Sequence, residues 1–343
     1  MLENLAIKGS VLLAQGEPGM IIGPISKVLG MVYNGVFNFI YDMNEAHALG
    51  IAIIIFTIIV KAFLSPLSYK QQKSTFEMQK LQPEMEKIKK KYEKKKDRES
   101  QQKQALELQK LQKDNNVNAF GGCLPLLVQL PILYALFHIF QQAYMYIDVV
   151  AVNYNQIAEF FLEMPEAFRV GLLTQPILDH KLTLDVAVQQ DLVKLVNQLT
   201  ASDWRALIAN SGEYANGLTG LLAEKETLEQ FIGINLIQRP GISFPGIIIP
   251  LVAGATTFLS SKVMMKNTSG TPGASADGVM GQAMQSMKMM NYTMPIMMAV
   301  MCVSLPAGVG LYWTISNIIQ VIQMVALSKY FKSKRDKEEV FVQ

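Results

Sequence analysis

Lys61 carries the most demanding chemistry in this sequence. It follows thirteen uncharged residues, Ala48–Val60, and stands a little over one helical turn before Pro66. A charge at the centre of a membrane helix costs about 2.5–3.5 kcal/mol, so it faces protein or water rather than lipid tails. Two placements meet that requirement. The ammonium can occupy a wet interior site, or its long stem can snorkel to the headgroups. Thr57 lies one turn earlier on the same helical face, and Gln129 interrupts a second apolar stretch between Val128 and Leu130. A third stretch carries Tyr312, Trp313, Thr314, Ser316, Asn317, Gln320 and Gln323, with Ser316, Asn317 and Gln320 on one face. Singly, such groups serve interhelical hydrogen bonds worth about 0.6 kcal/mol on average. Together with a cation they describe a watery cavity within a membrane.

Other chemistries find little support. The two cysteines, Cys123 and Cys302, both sit in apolar segments, which excludes a disulfide framework and leaves no Cys/His pattern for a metal. Eleven of the 20 methionines fall between positions 264 and 301. They suit either an adaptable apolar surface or plain lipid-facing packing. A copper site would need companions that only His138, in another stretch, offers. No glycine-rich phosphate loop or nucleophile elbow occurs, so an enzyme is not expected, and neither is a cofactor or a metal.

The elements that must hold these residues are apolar helices. Half of the 343 residues are apolar and 17% are charged, against about 25% charged in soluble domains. Mean hydropathy is +0.21. Residues 289–328 contain no Asp, Glu, Lys or Arg, and 118–147 and 240–261 are equally free of them. A bilayer core takes about 20 helical residues. The 40-residue run 289–328 is twice that length, and it breaks at Leu305-Pro306-Ala307-Gly308. Five spans result: 48–67, 119–145, 241–262, 289–305 and 308–328.

Charge orients them. Residues 69–118 hold 14 Lys/Arg against 8 Asp/Glu, whereas residues 144–244 hold 6 against 12. The segment 262–288 holds 3 against 1, the tail 329–343 holds 5 against 3, and the head 1–47 holds 2 against 4. The signs alternate in step with five crossings, which places the N-terminus outside and the C-terminus in the cytoplasm. A net charge of +3 gives no reason to expect specific nucleic-acid recognition.

Between the spans, 68–118 reads as a cytoplasmic helical hairpin. Leu81, Met85, Ile88 and Tyr92 form one stripe, and Leu106, Leu108 and Leu111 another. It is either a mobile arm toward ribosomes, nascent chains or lipid, or simply a solvated connection. Residues 146–240 read as an acidic external helical region, with helices expected over 182–199 and 218–231. In the head, 1–47, Val11–Ala14 is too short for a secretory signal. Residues 20–44 suit an amphipathic helix lying in the outer interface, with a sixth span as the alternative.

Several strings resemble one family. Gly121-Gly122-Cys123-Leu124-Pro125-Leu126-Leu127-Val128-Gln129-Leu130-Pro131-Ile132 resembles the second core span of the YidC/Oxa/Alb membrane protein insertases. Val60-Lys61-Ala62-Phe63-Leu64-Ser65-Pro66-Leu67 is similar to the first, and Leu81-Gln82-Pro83 to the hairpin. Phe231-Ile232-Gly233-Ile234-Asn235-Leu236 resembles the segment before the third span. Leu305-Pro306-Ala307-Gly308, Leu311-Tyr312-Trp313 and Ser316-Asn317 resemble the last two. The order of the motifs matches along roughly 30–147 and 231–330.

The resemblance implies an all-α polytopic membrane protein with five transmembrane helices around a hydrophilic groove open to cytoplasm and lipid. It implies an insertase and chaperone in the bacterial cell membrane, with nascent membrane proteins, the lipid bilayer, the ribosome and a Sec translocon as partners. The large periplasmic domain of Gram-negative members has no counterpart here, so the Gram-positive type is expected. Groove residues carried over are Lys61, Thr57, Gln129, Tyr312, Trp313, Ser316 and Asn317. The family's usual groove cation is Arg, so Lys61 keeps the charge but not the planar fork. The competing classes are a secondary transporter or channel using Lys61 as an ion site, and a scaffold whose external region binds a ligand.

Overall fold

The computed structural model describes residues 22–92, 97–115, 124–268 and 293–342. The readings of Val11–Ala14, Gly121-Gly122-Cys123 and the methionines at 280, 284, 287, 289 and 290 lie outside those residues. Apart from one two-stranded ladder, the described regular structure is helical. It divides into two compact units.

The first unit gathers residues up to Phe56, Pro131–Ile249 and Cys302–Leu311. Helix α1, Ile22–Met43, buries Ser26, Gly30, Tyr33, Phe37 and Ile40 at three-to-four spacing, while Val28, Met31, Phe39 and Met43 stay exposed. A helix apolar on both faces is made for lipid or a large core, not for water. Gly30 belongs inside this helix because a Cβ there would sit 2.6 Å from the Tyr146 ring. Tyr33 meets Phe56 and Phe140 edge-on at 5.6 Å each, and its hydroxyl donates to Leu49 O at 3.1 Å. Phe56 belongs to α2, Ala48–Phe63, and Phe140 to α6, Leu124–Gln141.

The acidic region within this unit is a helical packet. Helices α8 (Asp148–Glu163) and α10 (Gln189–Gln198) bury Val150, Tyr154, Ile157 and Phe161 and Leu192, Leu195 and Val196 respectively. The helix expected over 182–199 starts only at Gln189, because Leu182–Val188 is a turn region after α9 (Glu166–Asp179). A capping box, Thr200 with Asp203, starts α11, Ala201–Asn210. Trp204 of α11 stacks on Phe161. Helix α12 is Ala215–Glu229, and the stretch expected to be helical to Phe231 turns instead into strand β1, Gln230–Phe231. Its partner β2 is Ile234–Asn235, with Gln230 opposite Asn235 and Phe231 opposite Ile234.

This hairpin leads to a cap for the last helix, α15, Ala307–Val342. A helix leaves its first N–H groups without internal partners. Here Ala307 N–H donates to Gln238 O at 2.9 Å and Gly308 N–H to Leu236 O at 2.7 Å. Gly308 permits the approach, since a Cβ would lie 3.0 Å from Leu236 O.

The second unit gathers Thr57–Leu130, Pro250–Met301 and residues from Tyr312 onward. Its hairpin has three helices where two apolar stripes led us to expect two: α3 (Ser65–Lys80), α4 (Gln82–Tyr92) and α5 (Arg98–Asp114). Pro83, at the start of α4, lacks the N–H that a continuous helix needs. Lys91 and Glu107 pair at 2.6 Å between α4 and α5. Phe331 of α15 stacks on Phe76 of α3 at 5.6 Å and also meets Tyr69.

By length and composition, Ala307–Lys334 is the described helix able to cross a membrane unaided. Helices α2 and α3 pass the same test as a pair bent by 58°, and Ile248–Met264 and Thr293–Ser304 are shorter apolar helices. We call the last two α13, whose full extent is Ile248–Thr268, and α14.

Candidate functional site

Lys61 ends up in the last full turn of α2, just before the bend into α3, and is 9% exposed. Its Nζ donates to Gln129 Oε1 of α6 across a long 3.5 Å. Gln129 Nε2 in turn donates to the Tyr312 hydroxyl at 3.0 Å, and that hydroxyl also hydrogen-bonds Ser316 one turn along α15. Thr57 is fully buried one turn before Lys61. Among the described residues no carboxylate pairs with the ammonium. An ammonium has three donors, and this one meets a single distant acceptor there.

Trp313 and Asn317 occupy the neighbouring stripe of α15, about 100° around the helix axis. They do not join the lysine chain. The Trp313 indole N–H donates to Thr257 Oγ1 of α13 at 2.8 Å, and Thr257 Oγ1 lies 2.7 Å from its own Ala253 O. The Asn317 amide lies 2.9 Å from Thr257 Oγ1 and, with its oxygen turned inward, 3.0 Å from the indole nitrogen. The seven residues expected to share one groove thus divide, with Lys61, Gln129, Tyr312 and Ser316 linked in one chain and Thr57 buried one turn before Lys61. Trp313 and Asn317 belong to a second cluster around Thr257. That threonine was missed. A hydroxyl one position after Thr256 in an uncharged run carries no marker beyond its polarity.

Chemically, the lysine chain is a cation held among neutral dipoles. An unpaired buried charge is costly, so an entering carboxylate or row of peptide carbonyls would be bound strongly by it. Nothing in the arrangement resembles a nucleophile with its base. No group of three or more His, Cys, Asp or Glu able to hold a metal occurs among the described residues. A polar cluster in the acidic helical packet is structural in form. His180 Nε2 lies 2.8 Å from Asp203 Oδ2, which also accepts from the Thr200 hydroxyl at 2.6 Å and its amide at 2.7 Å.

Known proteins bear on this geometry. Residues 39–335 match the family described as 60Kd inner membrane protein. The curated "Membrane protein insertase YidC" of Clostridium perfringens is 27% identical over 323 residues, 93% of this chain and 96% of that protein. "Membrane protein insertase YidC 1" of Lactococcus lactis subsp. lactis is 30% identical over 283 residues, covering 82% of this chain and 69% of the relative. "Membrane protein insertase YidC" of Oceanobacillus iheyensis is 29% identical over 293 residues, 85% of this chain and 78% of its own length.

Proposed function

The chain belongs to the 60Kd inner membrane protein family, the YidC-type insertases, and we propose that it inserts membrane proteins through a polar groove centred on Lys61. It is a helical insertase of the cell membrane and not an enzyme, and its substrates are nascent membrane proteins. In this reading five helices cross the bilayer, with the N-terminus outside, the C-terminus and the 68–118 hairpin in the cytoplasm, and residues 146–240 outside. The alternation of basic and acidic segments supports that orientation. The basic hairpin and tail would meet ribosomes, and a Sec channel is a further partner.

The mechanism follows from solvation. A short polar segment of an inserting chain leaves the cytoplasm and meets Lys61, Gln129, Tyr312 and Ser316 in place of part of its water. That lowers the cost of carrying hydrogen-bonding groups into hydrocarbon. A substrate carboxylate pairs transiently with the ammonium. The apolar part of the substrate then leaves sideways into lipid. No nucleotide-binding motif occurs in the sequence, so the drive comes from substrate hydrophobicity, translation and the membrane potential.

The observation that carries this reading is the buried ammonium whose partner is a neutral amide. Its test is substitution in a strain depleted of its own insertase. Lys61→Arg retains insertion, whereas Lys61→Ala and Lys61→Glu impair it for substrates with acidic outside segments. Full activity of Lys61→Glu on those substrates would contradict the proposal.

A further inference from the structure

We propose that the β1–β2 hairpin tip and the loop after it form a lipid-contacting foot, embedded where the bilayer's headgroups meet its acyl chains. The register of the ladder leaves a two-residue turn, Ile232-Gly233, with φ of 53° and 75°. Left-handed values at both positions are the signature of a type I′ turn, whose favoured pair is Asn-Gly. A β-branched residue with positive φ is an outlier and strained. Ile232 is also 70% exposed. In water that position would be unfavourable twice, by backbone and by side chain. In lipid the second penalty becomes a gain.

The surroundings place the tip at the ends of two apolar helices. Phe231 packs against Gly50 in the first turn of α2, where a Cβ would overlap its ring. The Ile232 N–H donates to His47 Nδ1 at 3.4 Å, one residue before α2 begins. A Cβ added to Gly233 would lie 4.0 Å from Pro245, three residues ahead of α13. The loop between carries Ile242, 71% exposed, and Phe244, 81% exposed, and the first residue of α13, Ile248, is exposed too. Apolar surface therefore runs from the tip to the start of a helix that itself faces lipid in our reading. That continuity identifies the occupant as the bilayer.

The inference rests on the reading that α2 and α13 cross the membrane, and one experiment separates the two. Single nitroxide labels go at 232, 244, 58 and 194 of the full chain, with Cys123→Ser and Cys302→Ala, in phosphatidylethanolamine/phosphatidylglycerol proteoliposomes. Residue 58 is mid-helix on α2 and residue 194 is exposed on α10. Labels at 232 and 244 will show a several-fold higher ratio of oxygen to nickel-chelate collisions than the label at 194. Equal ratios at 232, 244 and 194 with a lipid-like value at 58 would overturn the foot alone. A water-like value at 58 would overturn the spans with it. Exclusion of both collision partners at 232 and 244 would mean a protein covers the tip, and also overturns the proposal. As a second arm, Ile232→Asn will shift the 244 label toward water in the same proteoliposomes. An unchanged collision ratio at 244 would overturn the proposal.

Discussion

At Lys61 the side chain is held by one amide oxygen, and that amide is held by Tyr312, so Gln129 sets how much of the ammonium is free. Gln129→Glu would put a carboxylate where the weak acceptor stands. We expect insertion of substrates with acidic outside segments to fall, because the cation then has an internal partner; unchanged insertion would mean that the substrate does not use it. Thr257 offers the second test. In an Asn317→Ala background, which removes the amide oxygen 3.0 Å from the indole, Thr257→Val deprives the buried Trp313 N–H of its acceptor at a cost of about 1–3 kcal/mol, and Thr257→Ser restores it; thermal unfolding in detergent reads both. Lys61, Gln129, Tyr312 and Ser316 were legible because polar groups stand out in uncharged runs. The division of Trp313 and Asn317 away from them was not legible. Neighbouring positions on a helix point in directions that only the packing of α13 reveals.

Among the elements, the acidic helical packet holds the clearest energetic prediction. Lys225 and Glu229 pair at 2.7 Å with side chains 3% and 1% exposed, and Glu229 also accepts from Tyr154 and Asn235. Removing one partner of such a pair costs about 3–5 kcal/mol. Lys225→Ala should therefore expose the packet to protease at lower denaturant. In the sequence this pair looks like an ordinary solvated i,i+4 contact, and only the fold buries it. Asp203 adds a pH dependence. Burial alone would raise its carboxyl, but hydrogen bonds from Thr200 and His180 outweigh burial and hold it below the ordinary 3.8. The ionised form is then favoured in the folded state. Its contribution is present above 3.8 and is lost as pH falls through the depressed folded value. Acid denaturation of the packet will show that loss, and Asp203→Asn will flatten it. The helix α1 and the break at Pro306 were readable from the apolar run and the proline, though not that α1 is apolar on both faces. The bend between α2 and α3 was not, because Pro66 at the start of a helix is compatible with several entry angles.

For the whole molecule, the proposed route links insertion to the membrane potential. An acidic segment moving outward gains about 2.3 kcal/mol per charge per 100 mV. Uncouplers should therefore slow insertion of substrates with acidic outside segments and spare neutral ones; equal inhibition of both would count against that drive. The central claim is that a polar part of the inserting chain passes beside the buried cation. A photoreactive residue at 129, with a ribosome-stalled substrate of graded length, tests it directly. The account predicts adducts at 129 while the polar outside segment is inside the membrane, lost in Lys61→Glu. Adducts from a photoreactive residue at the exposed Val300 of α14, with none at 129 for any length, would contradict it.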